Sequence, residues 1–385
     1  MKYLLQILFI FLFYVKGFAQ DSTETTPAKF SFNGYIKNLE TLTFNKDFTE
    51  MISGNLLHNR INLKWKPSAT ITAAAEFRNR LFWGEEVRMT SHFASLLRNP
   101  NEKINLQKAW IHNNSLVLHT NVERLYVDYN TDEINVRIGR QRMNWGITTT
   151  WNPNDLFNTY NFLDFDYEER PGADGGKVNY RFTDDFNAEL AYAHSGTKQG
   201  NIAALKYALN KWGYDLQLIT GWYNDHVTLG AGWAGSIKDA GFKGEVQYFF
   251  GKRDSVDHLN ISMEADYMFP KNWYLNGGLL YSGNGLSKPV SNWNEVNLQL
   301  SPENLMPTKW NLVITTAKEF TPLFSGNLSV VYAPGTNLVI LFPSFSYNLS
   351  TNFDVNLVWQ SFFAELNHQF EAVNHRCFLR VKWSF

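Results

Sequence analysis

Between residues 138 and 172 the chain concentrates side chains suited to holding a polar ligand. The run Ile138-Gly-Arg-Gln-Arg-Met-Asn-Trp-Gly-Ile147 is followed by Trp151-Asn-Pro-Asn-Asp155 and by Glu168-Glu-Arg-Pro-Gly172. Trp145, Trp151, Phe157, Tyr160, Phe162, Phe165 and Tyr167 offer faces that stack on sugar rings or cations. Asp155, Asp164, Asp166, Glu168, Glu169 and Arg170 lie among them and supply directional hydrogen bonds. The competing reading is packing, in which the aromatics seat the segment against a wall while Arg140 and Arg170 pair with the acids. Such carboxylates could hold Ca²⁺, but no EF-hand-like spacing is present, so no metal site is assigned. Nothing suggests covalent catalysis: the chain has no G-x-S-x-G and no H-E-x-x-H. His194-Ser195 is the nearest candidate pair, and adjacent strand residues point to opposite faces.

The elements that must position this segment are strands. The closing run His375-Arg-Cys-Phe-Leu-Arg-Val-Lys-Trp-Ser-Phe385 puts Cys377, Leu379, Val381, Trp383 and Phe385 on one face and Arg376, Arg380 and Lys382 on the other. A strand apolar on one side and charged on the other fits a wall between lipid and water. Similar runs recur near 30–43, 54–66, 70–83, 120–130, 134–142, 175–183, 186–195, 201–209, 213–223, 226–236, 240–251, 257–268, 273–283, 309–320, 324–333, 337–348, 352–363 and 375–385. Alternate connections are short and turn-like, among them Pro67 to Thr70, Thr131 to Glu133, Asn210-Lys211 and Pro270 to Asn272. The other set includes three long ones, near 84–119, 143–174 and 284–308, with a short helix read over Thr90 to Arg98. The pattern predicts an all-β fold: a transmembrane antiparallel up-and-down barrel of about eighteen strands, with sixteen as the alternative.

Composition agrees. Mean hydropathy is -0.31, as in a soluble protein, yet aromatics make up 16% of residues, with 13 Trp and 18 Tyr. A barrel reconciles the two, because half of each strand faces water and Trp and Tyr gather at membrane interfaces. At the N-terminus Lys2 precedes the apolar run Tyr3 to Val15, and Gly17-Phe18-Ala19 supplies small residues for cleavage. Residues 1–19 read as a signal peptide, 20–29 as a short periplasmic leader and 30–385 as the barrel. Net charge of -1 argues against nucleic acid as a partner, and the lone Cys377 has no intramolecular partner.

Strand parity assigns the lumen. Lys37, Arg60, Lys64, Arg78, Arg80, Arg376, Arg380 and Lys382 point inward from the first three strands and the last. Glu189, Asp215, Glu245, Glu264 and Asp266 point inward from roughly the opposite side. Opposed basic and acidic walls would impose a transverse field on crossing solutes. Neutralising Arg60, Arg78, Arg80 and Arg380 should then shift ion selectivity toward cations.

An alternating last strand ending in Phe385 resembles the C-terminal signal of Gram-negative outer-membrane β-barrels. Gly139-Arg-Gln141 followed by Asn144-Trp-Gly146, at the mouth of a long loop, resembles the alginate-export-like barrels and a related uncharacterised porin-like family, over residues 120–180. These resemblances imply a Gram-negative outer-membrane location and contact with outer-membrane lipid and the barrel-assembly machinery. They also imply a loop that folds inward, with Arg140, Gln141, Asn144, Trp145, Trp151, Asp155, Glu169 and Arg170 as constriction residues. The expected function is a porin-like channel for passive passage of polar solutes, carbohydrate or anionic, without cofactor. A non-conducting structural or polymer-binding barrel is the alternative, and an outer-membrane enzyme a lesser one. Solute identity, direction of transport and oligomeric state, a homotrimer included, stay open.

Overall fold

The computed structural model describes residues 29–99, 102–158, 162–166, 171–194, 200–251, 256–292, 296–297 and 299–385; the expected signal peptide, most of the leader, and Glu169 and Arg170 lie outside them. The chain alternates direction through β1 (Phe30–Asn45), β2 (Met51–Trp65), β3 (Ile71–Gly84), β4 (Gln107–His112), β5 (Leu116–Asn130), β6 (Ile134–Gln141), β7 (Ala173–Thr183), β8 (Phe186–His194), β9 (Asn201–Lys211) and β10 (Tyr214–Tyr223). It continues through β11 (His226–Ile237), β12 (Ala240–Phe250), β13 (His258–Phe269), β14 (Trp273–Ser282), β15 (Trp310–Thr321), β16 (Phe324–Ala333), β17 (Leu338–Ser350), β18 (Phe353–Leu366) and β19 (Gln369–Ser384). Eighteen of these close into one antiparallel barrel, as the strand pattern predicts. The seam pairs β1 with β19 from Tyr35↔Ser384 to Asn45↔Asn374. Gly34 and Phe385 exchange both backbone hydrogen bonds at 3.0 Å, which extends the closure to Phe385.

β4 stands outside the barrel count. It pairs with β5 over Gln107↔Asn121 to His112↔Val117, on the stretch of edge that β6 leaves free. The fourth barrel strand therefore begins earlier than expected, and the long loop before it carries β4 and two short helices, α1 (Glu85–Met89) and α2 (Phe93–Leu96), in place of one. The turn expected at Asn210-Lys211 falls at Trp212-Gly213. Both turn residues have positive φ, 57° and 78°, which suits the tight hairpin linking β9 to β10 and lets Lys211 stay in the ladder.

Outward positions carry an apolar band, with Leu190, Leu218, Leu229, Ile314 and Leu357 all exposed. Trp65, Tyr129, Tyr180, Trp212 and Trp273 ring the end of the barrel that holds the short turns. Among the described residues the interior holds two apolar clusters. One joins Met143, Trp145, Leu156 and Phe157 to Ala191, Ala204, Ile219 and Phe249 of the wall; the other joins Trp151 to Leu280, Leu305, Met306, Val313, Val331 and Ile340. Both contain residues from the β6–β7 connection, so this loop lies inside the barrel, as expected.

Candidate functional site

The loop leaves the wall at a clamp. Gly139, at φ +121°, sits where a Cβ would come 2.2 Å from the Leu125 carbonyl oxygen, so only glycine fits here. The next residue, Arg140, is outward by strand parity yet only 2% exposed, because the segment before β4 covers it. Its guanidinium grips Asp174 through Nε at 2.8 Å and Nη2 at 3.0 Å, and Glu102 through Nη1 at 3.0 Å. It also donates to the Val122 and Ile104 carbonyls. Asp174 opens the strand by which the loop returns, so one side chain ties both legs together. Burial pushes the Glu102 carboxyl above the usual range, against the pull of Asn121 and Arg140. Arg140 is thus a staple in the wall. Gln141 is fully buried and donates to the Arg137 carbonyl at 2.9 Å.

Beyond the clamp, inward carboxylates take the loop's backbone donors. The Trp145 indole N–H donates to Glu189 at 2.6 Å. Glu245 accepts from the backbone N–H of Ile147, of Thr148 at 2.7 Å and of Asn154 at 2.8 Å, and from the Thr148 hydroxyl at 3.0 Å. Glu264 accepts from the N–H of Thr149 at 2.8 Å and of Thr150 at 2.7 Å, and from the Thr149 hydroxyl. Glu189, Glu245 and Glu264 point inward as parity predicts, but they are 5%, 0% and 1% exposed. They do not form the exposed acidic wall expected from the sequence; the loop covers them, since a helix-free loop in a lumen needs acceptors for its N–H groups. Asp215 is exposed and takes a hydrogen bond from Asn210, and Asp266 lies 3.4 Å from Lys243. Asp155 is buried within the loop itself and Asn144 is exposed.

The loop then crosses to the basic side. Trp151 packs edge-on against Phe162, and Gln360 holds the Leu163 carbonyl at 2.8 Å. Phe165 lies against Phe378 and beneath the Arg380 guanidinium, 4.7 Å from its ring centre. Asp166 binds Lys37 at 2.5 Å and sits 3.6 Å from Arg380. The other expected cations divide in the same way. Arg60 pairs with Glu76 and Arg78 with Glu123, whereas Arg80 contacts His119 at 3.2 Å and the Leu97 carbonyl. Lys382 lies over the Tyr35 ring at 4.7 Å, and Lys64 and Arg376 are exposed. Among the described residues, this half of the lumen sets Lys37, Arg60, Arg78, Arg80, Arg376, Arg380 and Lys382 against Glu76, Glu123, Asp164, Asp166 and Asp354, an excess of positive charge.

Between loop and wall remains a cavity of about 350 Å³. Thr149, Thr150, Phe162, Asp164 and Phe165 line it from the loop, and Thr315, Asn327, Ser329, Phe342, Ser344 and Arg380 from the wall. Burial, and then the nearby Asp166 carboxylate, push the Asp164 carboxyl up. Among the described residues singled out in the sequence as basic wall, acidic wall or constriction, Arg380 alone borders this cavity. The wall residues Thr315, Asn327 and Ser329 carried a signal in the sequence too: they are polar at inward positions of β15 and β16.

No family model matches the chain, and no curated protein matches it. Solved structures share its fold. Acinetobacter baumannii OccAB4 aligns at 11% identity with a TM-score of 0.57, covering 95% of this chain and 100% of that one. The Pseudomonas aeruginosa outer membrane protein OpdK aligns at 10% identity with a TM-score of 0.60, covering 92% and 98%. OccD3 (OpdP) of the same organism gives 10% and 0.54, covering 92% and 91%. The chain therefore has the closed eighteen-strand architecture of Gram-negative outer-membrane barrels.

Proposed function

We propose that this barrel is a passive outer-membrane channel for small polar solutes, with a preference for anions. The observation that carries the reading is the cavity between the inward-folded loop and the wall, bordered by hydroxyls, one amide, the Asp164 carboxyl and Arg380. A crossing solute exchanges water for these fixed donors, so apolar molecules are disfavoured. The surplus of cations on the β1–β3 and β19 side favours anions over cations. Phe162 and Phe165 at the same cavity favour a sugar ring within that class, in keeping with the resemblance of residues 120–180 to alginate-export-like barrels.

The test is conductance of the refolded mature chain in a planar bilayer under a salt gradient. Open steps with an anion-selective reversal potential are expected, moving toward cations in an Arg376→Gln/Arg380→Gln variant. Acidic oligosaccharides should block more strongly than neutral ones. A folded barrel without conductance would replace this reading with a non-conducting binding barrel.

A further inference from the structure

The outer wall is apolar around most of its circumference, but not on β1, β2, β3 and β5. Alternation from the inward residues Lys37, His58, Arg78 and His119, each tied to lumen groups, places Asn38, Glu40, Asn55, Asn59, Asn79 and Thr120 outward. These six fall into two hydrogen-bonded groups on adjoining strands, Asn38–Glu40–Asn55 and Asn59–Asn79–Thr120. Asn38 donates to Glu40 at 3.0 Å, and the Asn55 amide, turned with nitrogen toward it, donates to the same carboxylate. Asn79 donates to Asn59 at 3.1 Å, and Thr120 donates to Asn79 at 2.8 Å. The patch lies mid-wall: the register sets Asn59 opposite Ile36, between Phe32 near one rim and Phe44 near the other. On the other strands, outward polar side chains in mid-wall are single hydroxyls such as Thr316, which turns to the Tyr274 carbonyl. The remaining ones, such as Lys318 and the Ser361–His375 pair beside Phe48, lie toward the rims.

Amides and a carboxylate at this depth are poorly matched to lipid chains, which offer no hydrogen bonds. They are well matched to a copy of themselves. An amide carries two N–H groups and an acceptor oxygen, so Asn38, Asn59 and Asn79, which donate to Glu40, the Tyr35 carbonyl and Asn59, have a further N–H to offer, and Glu40 has acceptor capacity for a neighbour's amide. Shape agrees. On the same face, toward the short-turn end, lies a recess of about 300 Å³ floored by Ala73 and Ala75 and sided by Leu63 and Val127, with Phe30 and Trp65 projecting beside it. Projection and recess on one surface are what a symmetric pair needs, because each copy can then fill the other.

We propose that this face, centred on Asn59 and Asn79, is where two copies of the chain meet in the membrane. The proposal goes beyond the transport reading and does not depend on it. Its test begins from Cys377→Ser, which removes the only cysteine. Leu81→Cys lies between the ladder amides without removing one, and Ile261→Cys sits outward on β13, across the barrel. Oxidation in lipid vesicles at low protein density should crosslink Leu81→Cys about ten-fold or more faster than Ile261→Cys, because a held contact raises effective concentration. In detergent, the mass of the unmodified protein should be that of two chains, falling to one in Asn59→Leu/Asn79→Leu. Equal crosslinking at both sites would overturn the proposal. So would a one-chain mass for the unmodified protein, or lipid as the sole companion of the patch.

Discussion

Removal of Glu245 isolates the force that holds the loop in the lumen. This carboxylate accepts four hydrogen bonds of 3.0 Å or less from the loop, from the backbone N–H groups of Ile147, Thr148 and Asn154 and from the Thr148 hydroxyl, and a fifth, weaker one from the Asn152 amide at 3.4 Å. Glu245→Ala removes them all and opens space that water can enter, so each donor loses its net contribution and not its full desolvation penalty. At about 0.5–1.5 kcal/mol for each of the four stronger bonds, the seat loses roughly 2–6 kcal/mol. With about 1.4 kcal/mol per decade, the population with the loop lifted should rise between roughly 30-fold and 10⁴-fold. Single-channel recording should show larger mean current and frequent transitions between two levels. Glu245→Gln keeps one acceptor oxygen and should fall between. Far-UV circular dichroism must show an intact barrel, since β12 is paired along its length with β11 and β13. Unchanged current and noise in a folded Glu245→Ala barrel would refute the reasoning and put the anchoring elsewhere, with Trp151 and its apolar cluster the next candidate.

Two further outcomes are expected. Arg140→Ala leaves Asp174 and Glu102 without their shared cation, a loss of about 3–5 kcal/mol for a buried pair, and should appear as faster proteolysis of the segment before β4 and of the loop, with the rest of the barrel resistant. Because the Asp164 carboxyl titrates above the ordinary carboxylate range, acidification neutralises it while exposed carboxylates are still charged. Anion preference should therefore rise as pH falls through that window, and Asp164→Asn should remove the step from a reversal-potential titration.

The barrel is legible in the sequence because its physics is local. A strand between lipid and water must alternate, so the residue order alone sets Arg376, Arg380 and Lys382 against Leu379, Val381 and Trp383, and the even strand number follows from the rhythm of short and long connections. The misreadings are equally local. Gly213 looks like the start of a strand and is turn, because two positive φ values, its own and that of Trp212, suffice for a hairpin. β4 hides in a long loop because six residues carry little periodic signal.

Parity alone determined which residues face inward, and the dense cluster from 138 to 172 marked the loop that enters the lumen. What parity leaves open is whether an inward residue meets water, a solute or another part of the chain. Glu189, Glu245 and Glu264 look identical in sequence to pore-lining acids, yet they are buried as acceptors for Trp145, Ile147 to Thr150 and Asn154. Arg140, outward by count, became a staple because a distant segment brought Glu102 over it. Partners of this kind lie some 30 to 115 positions apart along the chain. Period-two alternation carries direction without distance, so only the closed barrel, by bringing those positions within hydrogen-bond reach, decided which charges anchor the loop and which are left to face the pore.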